Sequence, residues 1–416
     1  MDSAKSHQRY LWVLAAAFLF VCLLGAGFNY LVDPYALFGT PRIAGFNELK
    51  PAASERVRVI KPYMASRIKP KVVIGGNSRP EIGLNPQSTC WETADQPVFN
   101  AAIPGAHVFM QVRYVEHAVE SGKAKRVLFG VDFLDFVVDA SKPTGKVDWD
   151  RLGQPFEGRL DSGLGNGLGA ALNMQTAEDV LGGLFSLVAL GDSFLTIASQ
   201  RDKDSATRLE NGFNPALDYR PIIRNEGQAV LFRQKNLEVE KRLQQDTLGV
   251  LDVHGHRTMP LEALRNFLEW AHSHGVDVVL FINPYHSDYL IQIAMAGKWS
   301  LFEEWKRELA SMAEEYAVPL WDFNAFDRYS TETPPPLNDK HSELHWFWEP
   351  AHYRHELGDS MLASMLEREC GNGRVPGTFG VDITGVSLQH HLDELKSEMH
   401  EFVDENPEAI KRLEKR

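Results

Sequence analysis

The stretch KVVIGGNSRPEIGL, Lys71–Leu84, decides how the chain folds. Val72, Val73 and Ile74 are β-branched and consecutive. Gly75 and Gly76 stop the run, and Asn77-Ser78-Arg79 turns polar. An apolar β-branched run closed by glycines predicts a buried strand entering a tight turn. A serine just past such a strand stands at a sheet edge, where a hydroxyl is accessible and the N–H groups of a starting helix lack partners. Read more simply, the same serine is a helix N-cap. Gly-Asp-Ser also occurs in LGDSFL (190–195) and LGDSML (357–362). Ser193 and Ser360 lie within helical stretches with no strand before them, so they read as helix residues.

Outward from Ser78, apolar runs alternate with helical periodicity. The predicted strands are KVVIGG (71–76), PVFNAAIPG (97–105), RVLFGVDFLDFVV (126–138), VDVVLFINPY (276–285) and VPLWDFN (318–324). The helices between them include 107–122, 261–275 and 301–317. Strands that are apolar throughout, separated by helices, predict an α/β fold. Its centre is a parallel sheet of about five strands covered on both faces. From about 141 to 245 the pattern breaks. A glycine-rich run (161–173), a long amphipathic stretch (176–200) and NLEVEKRLQQ (236–245) read as a mostly helical insertion. Asp192 inside 180–198, with Glu178 and Asp179 at its edge, argues for a covering helix rather than a second membrane span. The tail 371–385 reads as a linker. The stripe Leu388, Leu392, Leu395, Met399 and Phe402 marks a terminal amphipathic helix, expected to dock on the domain.

The first forty residues differ. Lys5 and Arg9 precede an uncharged run from Leu11 to Val32. About 22 residues of helix span about 33 Å, enough to cross a bilayer. The basic head predicts a cytoplasmic N-terminus and a main domain outside, in the periplasm of a Gram-negative cell. A cleaved signal peptide is the competing reading. Cys22 follows Val21 rather than the small residue a lipoprotein site needs. Residues 34–70 read as a connector, and 71–370 as the domain. Of the three cysteines, Cys90 and Cys370 are the two able to pair in an oxidising compartment. A net charge of −13 over 416 residues, with scattered Lys and Arg, speaks against nucleic acid as a partner.

In a doubly wound sheet, sites form at the carboxyl ends of strands. Those ends carry Ser78 and Arg79, Gly105, Asp132, Asn283, Tyr285 and His286. The loop EPAHY (349–353) follows. A serine nucleophile needs a base, and the base needs an orienting group; His352 and Glu349 supply both. Trp346, Trp348 and Tyr353 flank them and could stack on sugar rings. His341, His345, His352 and His355 lack the acidic ligands of a metal site, and no cofactor is expected.

These blocks, in this order, resemble the SGNH or GDSL-type hydrolases and acyltransferases. IGGNSR matches the family's serine block with Asn77 for Asp, NAAIPGA its glycine block, and EPAHY its C-terminal block with Glu349 for Asp. A membrane segment followed by DPYALFG is similar to the membrane-anchored bacterial branch that includes alginate O-acetylation and teichoic-acid D-alanine transfer proteins. The resemblance covers roughly 60–370 without the insertion. It implies a flavodoxin-like three-layer fold and a serine acyl-ester activity, O-acetyl transfer or hydrolysis, on an exported polysaccharide or envelope glycan. It implies Ser78 as nucleophile, His352 as base, Glu349 as its orienting group, and the N–H groups of Ser78 and Gly105 as oxyanion donors. An integral-membrane acyltransferase partner is expected on the same ground. The third block departs: FGVDF places Asp132 where the family carries an oxyanion-donating Asn, and an ionised carboxylate there repels an oxyanion. Asp132 is then protonated or paired with Arg79, or Asn283 donates instead, or the protein is a non-catalytic glycan-binding or assembly scaffold.

Overall fold

The computed structural model describes residues 2–160, 174–371, 375, 377 and 379–414. The glycine-rich run 161–173 and most of 372–378 in the expected linker lie outside the described residues.

Six strands form the central sheet: β1 (Val72–Gly75), β2 (Val98–Asn100), β3 (Arg126–Val131), β4 (Asp277–Ile282), β5 (Leu320–Asp322) and β6 (Val381–Asp382). Their order is β6-β5-β4-β3-β1-β2. The first five run parallel and β6 pairs antiparallel with β5. The sequence reading placed Val381–Asp382 in a linker. Two residues are too few to show a period, and the pairing with Trp321 and Asp322 comes from the sheet edge.

Helices named below are α1 (Asp2–Val32), α2 (Val57–Ile68), α3 (Ser78–Gly83), α4 (Val108–Gly122), α5 (Met174–Phe185), α6 (Leu187–Ala198), α7 (Gln228–Leu243), α8 (Met259–Ser273), α9 (His355–Met365) and α10 (Leu388–Glu405). Successive strand residues point to opposite sheet faces. Val73, Val127 and Phe129 accordingly join one core with Val115 of α4 and Phe267 of α8. Val72, Ile74 and Leu128 join the other with Leu357, Met361 and Leu362 of α9. Burial on both faces is why these strands are apolar throughout rather than alternating.

Residues read as a connector belong to the domain. Ile60 and Met64 of α2 are in the core, and Lys61 is buried. Lys61 Nζ lies 3.0 Å from Glu81 Oε1 of α3, and Arg208 Nε from the insertion lies 3.0 Å from the same oxygen. Burial alone would raise the Glu81 pKa; the two cations outweigh it and hold it below the usual carboxylate range. Connector and insertion are thus both bolted to α3, the helix that carries Ser78. Cys90 and Cys370 form a disulfide with Cα atoms 4.5 Å apart. The terminal helix α10 docks through Leu392, Leu395 and Met399, all buried, and His391 Nε2 lies 2.9 Å from Asp322 Oδ2. Among the described residues one unbroken helix, α1, is long and apolar enough to cross a membrane.

Candidate functional site

The chain passes from β1 to β2 on one side and then crosses to β3 on the other, so the strand order reverses at β1. Crevices at such a reversal, beyond the carboxyl ends of the strands, are where open α/β sheets bind ligands. Residues 76–79 and Asp132 meet there. Gly76 adopts φ +127°, and a Cβ on it would lie 2.6 Å from the Gly130 carbonyl oxygen. Only glycine allows the turn to pass β3 so closely.

Asn77, not Ser78, caps α3: its Oδ1 accepts from the Arg79 N–H at 2.9 Å. Ser78 is therefore the first helical residue, and its hydroxyl is free for another partner. Asn77 Nδ2 donates to Asp135 Oδ2 at 2.9 Å, a bond an Asp at 77 could not make.

The base comes from a hairpin. Phe347–Glu349 pairs antiparallel with His352–Tyr353 around Pro350-Ala351. The turn is fixed by the Ala351 N–H donating to Glu349 Oε2 at 2.8 Å. It puts carboxylate and imidazole on one side, so Glu349 Oε1 meets His352 Nδ1. His352 Nε2 then lies 2.7 Å from Ser78 Oγ. Ser78 is half-buried, and His352 and Glu349 are buried. Burial acts to raise the Glu349 pKa, but the adjoining imidazole outweighs it and holds the group below its ordinary value. The carboxylate thus stays ionised, and the Nδ1–H tautomer it favours leaves Nε2 free to accept from the serine.

Arg79 joins the two halves. Its Nε donates to the Ala351 carbonyl at 2.9 Å, and its Nη1 pairs with Asp132. Asp132 also accepts from Tyr285 Oη at 2.8 Å and from the Leu134 N–H at 3.2 Å. Of the arrangements open for Asp132, the one present is the ion pair with Arg79. Asn283 is fully buried; its Nδ2 donates to the Val131 carbonyl at 2.9 Å and its Oδ1 accepts from Tyr353 Oη at 3.1 Å. It ties strand ends together.

Other expected substrate contacts are placed differently. Tyr285, His286 and Tyr353 have no exposed surface. Both nitrogens of His286 are engaged, Nε2 with the Glu332 carbonyl at 2.7 Å and Nδ1 with the Asp288 N–H at 3.1 Å. Polar side chains at strand ends here satisfy inward partners beneath the hairpin. Trp346 is half-buried, edge-on to Tyr329. Trp348 is buried, with Tyr219 stacked on it at 5.4 Å and the Arg354 guanidinium 3.9 Å from its ring centroid. Gly105 is exposed with φ +61°, beside a segment held to the serine turn by the Ile103 N–H to Gly76 carbonyl bond of 2.9 Å. Neither the Ser78 nor the Gly105 N–H has an acceptor among the described residues.

The insertion supplies groups that sequence reasoning missed. Gln228 Nε2 donates to the carbonyls of Phe347 and Trp348 at 2.7 and 3.0 Å, while its Oε1 accepts from the Leu344 N–H. Tyr219 sits 6.5 Å from the His352 ring, its phenol pushed well above its ordinary pKa by burial and then by Glu349. A glutamine opening a helix and a lone tyrosine carry no signal in sequence. Beside Trp348 runs a groove of about 500 Å³ lined by Arg220, Arg224, Lys340, Arg354 and His355 together with Asp204, Glu343 and Glu356. Among the described residues no three His, Cys, Asp or Glu side chains converge as a metal site.

Beneath the serine turn, Asp135 is partly exposed as a residue, yet its carboxylate is enclosed by Asn77 and Gln111. Burial first, then the charge of Asp132, pushes its pKa up to about 6. The unfolded value is about 3.9. The folded chain therefore holds this proton more tightly. The stability it contributes is complete below about pH 4 and is lost as pH rises through about 6. Asp135→Asn is expected to flatten that part of the profile. Urea midpoints of wild type and variant at about pH 4.5, 6 and 8 check it: the wild type should fall relative to the variant as pH rises.

Comparison with known proteins finds no family model that matches this chain and no curated protein with significant similarity to it.

Proposed function

We propose that the protein is a membrane-anchored serine acyl-ester enzyme of SGNH type, acting as O-acetyltransferase or esterase on an exported polysaccharide or envelope glycan. The observation that carries the reading is the chain Ser78 Oγ–His352 Nε2, 2.7 Å, with His352 Nδ1 on the buried Glu349 carboxylate. The strand order β2-β1-β3-β4-β5 supports a flavodoxin-like core, in which ligands sit at this end of the sheet. The Cys90–Cys370 disulfide supports a domain outside the cytoplasm.

In this mechanism Ser78 Oγ attacks the acyl carbon while its proton passes to His352 Nε2. The developing oxyanion accepts from the Ser78 and Gly105 N–H groups. As the bond to the donor breaks, His352 returns the proton to the leaving oxygen, and the acyl group remains on Ser78. A glycan hydroxyl or water then gives its proton to His352 and attacks the acyl-serine; the acyl–Oγ bond breaks, and His352 passes that proton to Ser78 Oγ, restoring the serine. Glu349 holds the imidazole in register throughout. The charged groove beside Trp348 offers a place for the acceptor, with an integral-membrane acyltransferase as the expected donor-side partner. The scaffold alternative drew on the large helical insertion and on Asp132, whose carboxylate is occupied by Arg79 and Tyr285. The reading is tested with the detergent-solubilised full chain and p-nitrophenyl acetate: steady release of p-nitrophenol supports it, and release no faster than buffer opposes it.

A further inference from the structure

The proposed chemistry makes no use of α5 and α6. They meet at Ser186 with a bend of 59°. The bend is capped, Ser186 Oγ accepting from the Ala189 N–H at 3.0 Å. In α6, Ala189, Ser193 and Thr196 face inward, at the spacing of one helix side. The other side is apolar too: Leu187, Val188, Phe194 and Leu195 are 84%, 62%, 61% and 52% exposed. Leu181 and Phe185 of α5 extend this surface around the bend. An exposed apolar face of this kind marks contact with something other than water.

What covers it follows from where it is attached. Asn29 of α1 is buried between the two helices. Its Nδ2 donates to the Leu184 carbonyl and its Oδ1 accepts from Ser193 Oγ, both at 2.9 Å. Phe28 packs 5.0 Å from Phe194. On α1, everything from Lys5 to Val21 is exposed, whereas Cys22, Gly25, Ala26 and Asn29 form a shielded stripe. The bent pair therefore lies along only the last ten or so residues of α1, about 15 Å, or half the roughly 30 Å hydrocarbon core. Charges respect that depth. Asp192 accepts from Tyr35 Oη at 2.6 Å, beyond the end of α1, and Asp179 accepts from Tyr63 Oη at 2.8 Å. Glu178 is exposed, but about 10 Å of helix separates it from the bend.

We infer that the bent pair α5–α6 is seated in the lipid leaflet on the domain's side, its apolar face covered by acyl chains. The inference rests on α1 being the membrane anchor. The junction is stiff as well: Lys50 Nζ donates to the carbonyls of Val32 and Asp33 at 2.9 and 2.6 Å. Anchor and bent pair together fix the height and tilt of the domain above the bilayer, where a single tether would leave it free to swing.

The test uses the full chain with Cys22→Ala, in liposomes of phosphatidylethanolamine and phosphatidylglycerol. Nitroxide labels are placed on single cysteines at Phe185, Leu187, Phe18 or Ser397, all exposed positions. Labels at 185 and 187, beside the bend, are expected to match Phe18, accessible to oxygen and shielded from a water-soluble nickel chelate, with Ser397 the reverse. Chelate access at 185 and 187 with Phe18 shielded would overturn the seating of the bent pair while sparing the anchor. Shielding from both reagents at 185 and 187 would overturn lipid as the covering and point to a second protein surface. Chelate access at Phe18 would remove anchor and bent pair together.

Discussion

Ser78→Ala is expected to lower p-nitrophenyl acetate hydrolysis by at least about 10³-fold, to near the rate without enzyme. His352→Ala should lose about as much. The two hydrogen-bonded groups would act as one unit, so the double variant should be no slower than either single one. The folded state should hardly notice the serine change. Ser78 is half-buried, Asn77 rather than Ser78 caps the helix, and removing one partly exposed hydroxyl costs within about 1 kcal/mol. Glu349→Gln tests the orienting group separately: an amide presenting N–H to His352 Nδ1 favours the wrong tautomer, and the loss should approach that of the histidine variant. Activity and urea midpoints measured on the same preparations separate lost chemistry from lost folding.

Arg79→Ala should be the most destabilising single change at the site, by about 3–5 kcal/mol. Arg79 and Asp132 are both buried and paired, and truncating one strands the other's charge in the core. The variant also removes the Arg79 Nε bond to the Ala351 carbonyl, which holds the hairpin bearing His352. Activity should fall even where the chain remains folded. Asp132→Asn in the Arg79→Met background removes the orphaned charge and should recover part of the loss. A double-mutant cycle of urea midpoints measures that recovery as the coupling between the two residues. Additive effects would mean that Asp132 is neutralised by another group.

The strands of the sheet were legible because each is buried on both faces and reads as an unbroken apolar run. Ser78 was legible because its strand ends in glycines, and the Glu349–His352 pair because a short turn joins them. Contacts across long separations were mostly not. The Arg79–Asp132 pair was one of the arrangements left open for Asp132, but the Gln228 clamp on the hairpin and the meeting of Lys61, Glu81 and Arg208 depend on how distant elements pack, and no local spacing encodes them. Tyr285 and His286 misled for a physical reason: polar residues at the end of β4 look available for binding, yet their side chains satisfy buried partners. Val57–Ile68 looked like connector because it follows the turn-rich run 33–51, and the burial of its Lys61 makes sense only once Glu81 lies opposite it.

The central claim is that Ser78 is a nucleophile activated by His352. The most direct measurement is labelling of the full chain with a fluorophosphonate probe, with the modified residue located by peptide mass spectrometry. The account predicts one adduct, on Ser78, formed in the wild type and lost in His352→Ala. No adduct on the folded wild type, or an adduct on another serine that persists in Ser78→Ala, would contradict it.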